Sequence, residues 1–278
     1  MYRPARPAES ARGAGLSSGL IGGRAVEILS GFHDVSLAQL VLVAGVAFLA
    51  SLIGGVAGYG TGALMPLVLV PIVGAAPVVP IIAISALFNN ASRMSAFLRH
   101  VDWRRSLIVT VCAVPTCALG AWGYAHLSGD GAAFVIGAML IASVPLRRVL
   151  RSRNVKFGDG GLALGAVGYG VVVGGTSGSG VILLSLLLAA GVGGAGVIAT
   201  DAAVSIVIGV VKVSVFGIAG VIDVQVVAFA LLIGIVALPG AFLARAFVER
   251  MPIHVHTAIL DAVVLVGGTF LVLRALHH

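Results

Sequence analysis

From residue 36 onward the chain is a succession of apolar runs separated by short stretches that hold most of its charge. Full-length runs lie at about 79–98, 106–127 and 131–146, and again at 197–219, 224–244 and 254–273. Most come close to the roughly 20 residues that an α-helix needs to cross a bilayer. Ahead of each triplet stands a pair of shorter pieces, 36–56 with 62–75 and 160–175 with 180–190. Glycine fills the gap inside each pair. The pattern predicts an all-α, polytopic transmembrane helical bundle of two repeated units with glycine-broken helices.

The first gap, Gly54-Gly55-Val56-Ala57-Gly58-Tyr59-Gly60-Thr61-Gly62-Ala63-Leu64-Met65-Pro66, puts five glycines and a proline into thirteen residues. Glycine costs roughly 1 kcal/mol in a helix interior and proline about 3. In a bilayer the freed backbone groups need partners, so such a break survives only inside protein or beside a wet cavity. The second gap runs from Gly174 to Gly180. Adding 120 to Gly45, Gly54, Gly55, Gly58, Gly60, Gly74 and Gly120 lands on glycine each time, for seven of the ten glycines between 45 and 129. Ser85 likewise falls on Ser205. A repeat at fixed spacing is the mark of a duplicated unit. Matched glycine interruptions in two repeats point to a transporter's binding site.

Composition narrows the class. The chain is 59% hydrophobic and 10% charged over 278 residues, against about 25% charged in soluble domains. A net charge of +7 would suggest nucleic acid in a soluble protein, but the basic residues sit between apolar runs, as the positive-inside rule produces. Nucleic acid is therefore not an expected partner; the lipid bilayer is. The layout is a cytoplasmic tail at 1–34, a first membrane unit at 35–147, a basic cytoplasmic connector at 148–158 and a second membrane unit at 159–275. If each broken pair makes one net crossing, eight crossings place thirteen Lys and Arg inside against two outside. Ten crossings give ten against five, so eight is preferred. Cys112 and Cys117 have no metal or disulfide spacing and read as small core residues.

Polar residues within the apolar runs are the candidates for chemistry. Ser85, Asn89 and Arg93 form one stripe at helical spacing, and Asp201, Ser205 and Lys212 another. An ionisable group at mid-bilayer costs about 2.5–3.5 kcal/mol, so it faces a cavity or a partner. The bland alternatives are that Arg93 and Lys212 reach out to the interface and that Asp201 caps a helix start. Asp201 and Lys212 are too far apart along one helix to pair. In the breaks, Gly58, Tyr59, Gly60, Thr61 and Gly62, with Gly175, Thr176, Ser177, Gly178, Ser179 and Gly180, offer free amides and hydroxyls. Amides at a helix N-terminus suit an anion; close helix packing through small residues is the competing explanation. Together with Asn89 and Arg93 these form the expected substrate site, with Asp201 and Lys212 expected to couple transport to an ion. No nucleotide, metalloprotease or serine-hydrolase motif occurs, so no catalytic residue, metal or cofactor is expected.

Gly58-Tyr59-Gly60-Thr61-Gly62-Ala63-Leu64-Met65-Pro66 resembles the first-repeat motif of the sulfite exporter TauE/SafE family. Gly174-Gly175-Thr176-Ser177-Gly178-Ser179-Gly180-Val181-Ile182-Leu183-Leu184 is similar to the second, and Ala199-Thr200-Asp201 and Pro239–Arg245 also look familial. The resemblance spans roughly residues 37–275. It implies a multi-pass permease of a bacterial inner membrane, moving sulfite or small sulfur-containing or carboxylate anions and coupled to an ion gradient, here expected to be protons. A passive anion channel is the alternative, with an integral-membrane enzyme or assembly subunit behind it. A homo-oligomer is left open. Two departures stand out. Thr61 interrupts the run of glycines, and the second motif has Ser185 or Leu186 where proline is expected, which predicts a softer second break.

Overall fold

The computed structural model describes residues 27–33, 35–57, 60–152, 156, 158–248 and 253–276, with backbone alone at 53–57, 146–152, 240–242, 244–248 and 253–263. After a helical turn at 27–30, ten α-helices follow among the described residues, with a short 3-10 turn at Leu98–His100. They are α1 (Leu37–Ala57), α2 (Gly60–Val73), α3 (Val78–Phe97), α4 (Trp103–Ala125), α5 (Gly129–Ser152), α6 (Asp159–Gly175), α7 (Gly180–Ala189), α8 (Ala195–Ile218), α9 (Val224–Val248) and α10 (Ile253–Leu276). Among the described residues there is no strand.

Polar residues at the ends of the apolar runs set where helices start. Ser36 and Gln39 cap each other's backbone N–H at the head of α1, a capping box. Asp102 accepts from the N–H of Arg105 at the head of α4, and Asp223 from that of Val226 at the head of α9. Gly74, Gly191 and Gly220 follow the ends of α2, α7 and α8 with positive φ, the usual helix stop. At the end of α5 the helix runs on through Arg147, Arg148 and Arg151 to Ser152, so the basic stretch begins as helix rather than as loop.

The halves are interwoven rather than side by side. α4 packs on α6, α1 on α9, α3 on both α8 and α9, α4 also on α8, and α5 on α10. Exchange α1–α5 with α6–α10 and each of these pairings maps onto another or onto itself. Glycine makes the α4–α6 seam close: a Cβ at Gly120 would run into the Val171 carbonyl, and one at Gly174 into that of Cys117. Small residues let helix backbones approach this closely in membranes. Two apolar clusters result, one around Met65, Leu69, Ile81, Ile136 and Phe229, the other around Val109, Leu162, Leu183, Leu187 and Val204. Outside them Leu37, Val41, Leu107, Val111, Leu119, Leu164, Ile218 and Val266 are exposed. Apolar exposure on this scale marks an interaction surface, here the lipid face. By length and composition, α3, α4 and α8 are each able to cross a membrane.

Candidate functional site

The two breaks meet. α1 stops at Ala57 and α2 starts at Gly60; α6 stops at Gly175 and α7 starts at Gly180. A Cβ added to Gly62 would lie 2.7 Å from the Gly178 nitrogen, and one on Gly178 would lie 3.3 Å from the Gly62 carbonyl oxygen. A side chain at Gly62 would force the backbone to shift, and one at Gly178 would press on the Gly62 carbonyl. Gly178 also holds a φ of +81°, which glycine adopts without penalty.

Beside this contact is a cavity of about 110 Å3. A water needs roughly 10–15 Å3 on that measure, so there is room for several waters or for a small anion. Thr61 and Gly62 line it from the first break, and Thr176, Ser177, Gly178, Ser179 and Gly180 from the second. Asn89 and Arg93 reach it from α3, Ser205 and Lys212 from α8, and Tyr169 from α6. Thus eleven of the residues singled out in the sequence share one cavity. Gly60 and Gly175 are not part of the lining, Asp201 is linked to it through Arg93, and Gly58 and Tyr59 lie outside the described residues. Ser85 turns away, its hydroxyl donating to the Ile82 carbonyl.

Arg93 and Lys212 are not reaching for an interface, because both are buried, at 4% and 6% exposure. Arg93 donates from Nη2 to Asp201 Oδ2 at 2.9 Å and from Nη1 to Asn90 Oδ1 at 3.1 Å. Nor is Asp201 a helix cap. α8 begins at Ala195 behind Gly194, which puts Asp201 in the second turn with its carboxylate facing α3. Lys212 Nζ donates to the carbonyls of Val173 at 2.8 Å and Thr176 at 3.0 Å. Those carbonyls belong to the end of α6, where a helix has unsatisfied acceptors and partial negative charge. Lys212 is the cap of the broken helix.

Several polar atoms here are buried without a partner. Among the described residues these are Asn89 Oδ1, Arg93 Nε, Ser177 Oγ and Asp201 Oδ1, all in or just behind the cavity, with Arg105 Nε elsewhere. Leaving a buried polar group unsatisfied costs about 1–3 kcal/mol, so a cluster of four marks a place built for water or a ligand. Ser179, at the head of α7, makes no side-chain cap, the Ile182 N–H donating instead to the Ser179 carbonyl, and Ser179 and Gly180 line the cavity. The hydroxyl of Thr176 is different, being spent on the Val172 carbonyl.

The sulfite exporter TauE/SafE family model matches residues 43–271. The chain belongs to that family. No curated protein and no solved structure matches it. Membership makes it an integral membrane protein of a transporter family, and the TauE/SafE match covers both breaks and both polar stripes.

Two contributors to the TauE/SafE cavity were missed in the sequence. Asn90 anchors Arg93, and its signal was the Asn89-Asn90 pair within an apolar run. Tyr169 faces the cavity from a helix that after Asp159 is otherwise glycine and aliphatic residues, where one large polar ring was the available clue.

Proposed function

We propose that the protein is a secondary transporter of a bacterial inner membrane. It carries sulfite, or a small organic anion bearing a sulfur or carboxylate group, through the cavity at the meeting of the two breaks. One observation supports this above the rest: buried donors without acceptors, Arg93 Nε–H and Ser177 Oγ–H, beside the uncapped head of α7. An anion supplies acceptors to both donors. Two duplicated units, with the tail and the 148–158 segment facing the cytoplasm, are part of the same reading, and the exchange-symmetric helix packing is what duplication would leave.

Coupling is proposed to run through Asp201. A proton arriving there weakens its hold on Arg93, freeing the guanidinium for substrate, so that proton and anion favour each other's binding. The test is sulfite uptake into proteoliposomes of the full chain under an imposed pH gradient. Accumulation above the electrochemical gradient is expected, lost in Asp201→Asn while exchange persists. Flux that never exceeds the gradient means a passive channel instead. Ser177→Ala removes a hydrogen bond to a charged ligand, worth about 1.5–3 kcal/mol or at least roughly tenfold in affinity. Thr176→Val, whose hydroxyl is already spent, is expected to change affinity little. Unaltered sulfite affinity in Ser177→Ala would remove the anion from this cavity.

A further inference from the structure

Charges around the cavity do not balance. Arg93 and Asp201 form a pair at 2.9 Å and cancel. Lys212 has no carboxylate partner among the described residues, and its two hydrogen bonds go to neutral carbonyls. An ammonium has three N–H donors, so one remains for the cavity it lines. The helix ends do not alter the sum. Each break contributes one C-terminus and one N-terminus, roughly −0.5 and +0.5 of a charge, which offset each other. What remains is a single buried positive charge at the wall of a small cavity. Buried charge without a partner is strongly unfavourable, and one negative charge, no more, removes it.

We infer that, while Asp201 is ionised and paired with Arg93, the site selects singly charged oxyanions over doubly charged ones, with Lys212 as the residue that sets this preference. The inference rests on the anion site proposed above and adds its charge class. Of the forms of sulfite, the matched one is hydrogen sulfite, and sulfonates and small monocarboxylates carry the same charge. A dianion would leave one negative charge buried in place of the positive one.

Methanesulfonate and sulfate are the probes, since a methyl replaces one charged oxygen on the same tetrahedral sulfur. Binding to the full chain in detergent is read by calorimetry at one neutral pH and matched ionic strength. Methanesulfonate is expected to bind at least tenfold tighter than sulfate and to be displaced by sulfite. Dehydration alone also disfavours a dianion in any buried cavity, so the variants decide the cause. Lys212→Gln is expected to lose methanesulfonate affinity by tenfold or more, while Lys212→Arg keeps most of it. Asp201→Asn raises the wall's charge by one and is expected to move the sulfate-to-methanesulfonate ratio at least tenfold toward sulfate. A ratio unmoved in Asp201→Asn, or wild type binding sulfate as tightly as methanesulfonate, overturns the inference. If Lys212→Gln fails to fold, Asp201→Asn carries the decision, and if both fail, wild type binding sulfate as tightly as methanesulfonate still overturns the inference. Binding of neither probe and no sulfite overturns the anion site itself, and this inference with it.

Discussion

The two breaks do the same job by different means. At the first, two residues separate α1 from α2, and α2 then carries Pro66 and Pro71. Proline has no N–H to give the carbonyl four residues back, so Pro66 leaves the Gly62 carbonyl free to face Gly178. At the second, four residues separate α6 from α7, and no proline follows. Ser185, near the matched position, donates instead to the Val181 carbonyl within the helix. The second break is held by Lys212 reaching in from α8. Both interruptions are written in glycine, but the first is reinforced by a proline in its own helix and the second by a neighbouring helix. The missing proline does not leave the second break unsupported; it moves the support to a residue that also carries charge to the site.

Lys212→Met should separate the breaks most clearly. It leaves the Val173 and Thr176 carbonyls without their cation, at about 1–3 kcal/mol for each unsatisfied acceptor, less what is recovered by no longer burying an ammonium. Amide hydrogen exchange at 176–180 should rise at least tenfold while that of α2 stays put. Equal loosening of both would mean that the breaks are not held independently. Gly62→Ala comes next and should strike both at once, because its methyl would sit 2.7 Å from the Gly178 nitrogen. Overpacking of this kind costs about 1–3 kcal/mol, read as a lower melting temperature with faster exchange on both sides of the contact. A variant as stable as wild type would show that the breaks can part without loss.

Pro66→Ala has the opposite sign. Proline is about 3 kcal/mol worse than alanine within a helix, and the surroundings already accommodate it, so a stability gain smaller than that is expected. The restored N–H would draw the Gly62 carbonyl back into α2, and sulfite affinity should fall while stability rises. Higher stability with unchanged affinity would confine Pro66 to helix shape.

Much of this was legible in the sequence, for a physical reason. The glycine and proline costs are local, so they mark a break whatever packs around it, and the side chains at 89 and 93, or at 201, 205 and 212, share a face through helix period alone. That α3 and α8 would turn those faces toward each other was not legible, since Arg93 and Asp201 are 108 residues apart and meet only through packing. The role of Lys212 was hidden more deeply. Its partners are backbone carbonyls, which have no signature in sequence, so the side chain read as an ion-coupling residue or one reaching for the interface, and not as a cap. Nor was it legible that the Thr176 hydroxyl, though Thr176 lines the cavity, bonds one turn back on its own helix.

The smallest effect expected lies away from both breaks, at Asp102, and serves as their control. Its backbone N–H donates to Thr200 Oγ1 at 3.0 Å, beside Asp201, while its carboxylate caps α4 through the Arg105 N–H and pairs with Arg105 Nη1. Asp102→Ala should cost about 1 kcal/mol, the usual worth of a cap, with exchange at 60–62 and 176–180 unchanged. The bond from the Arg105 N–H, followed by the Arg105 guanidinium, holds the Asp102 carboxyl below its ordinary value of 3.8. A depressed carboxyl stabilises the folded state fully above that ordinary value and loses its effect as pH falls through the folded one. The melting-temperature gap between wild type and Asp102→Ala should therefore be constant near neutral pH and narrow only in acid below 3.8. A gap that persists unchanged into strong acid would assign the loss to packing rather than to the carboxylate. Faster exchange at 176–180 would show instead that the second break depends on the whole head of α8, and not on Lys212 alone.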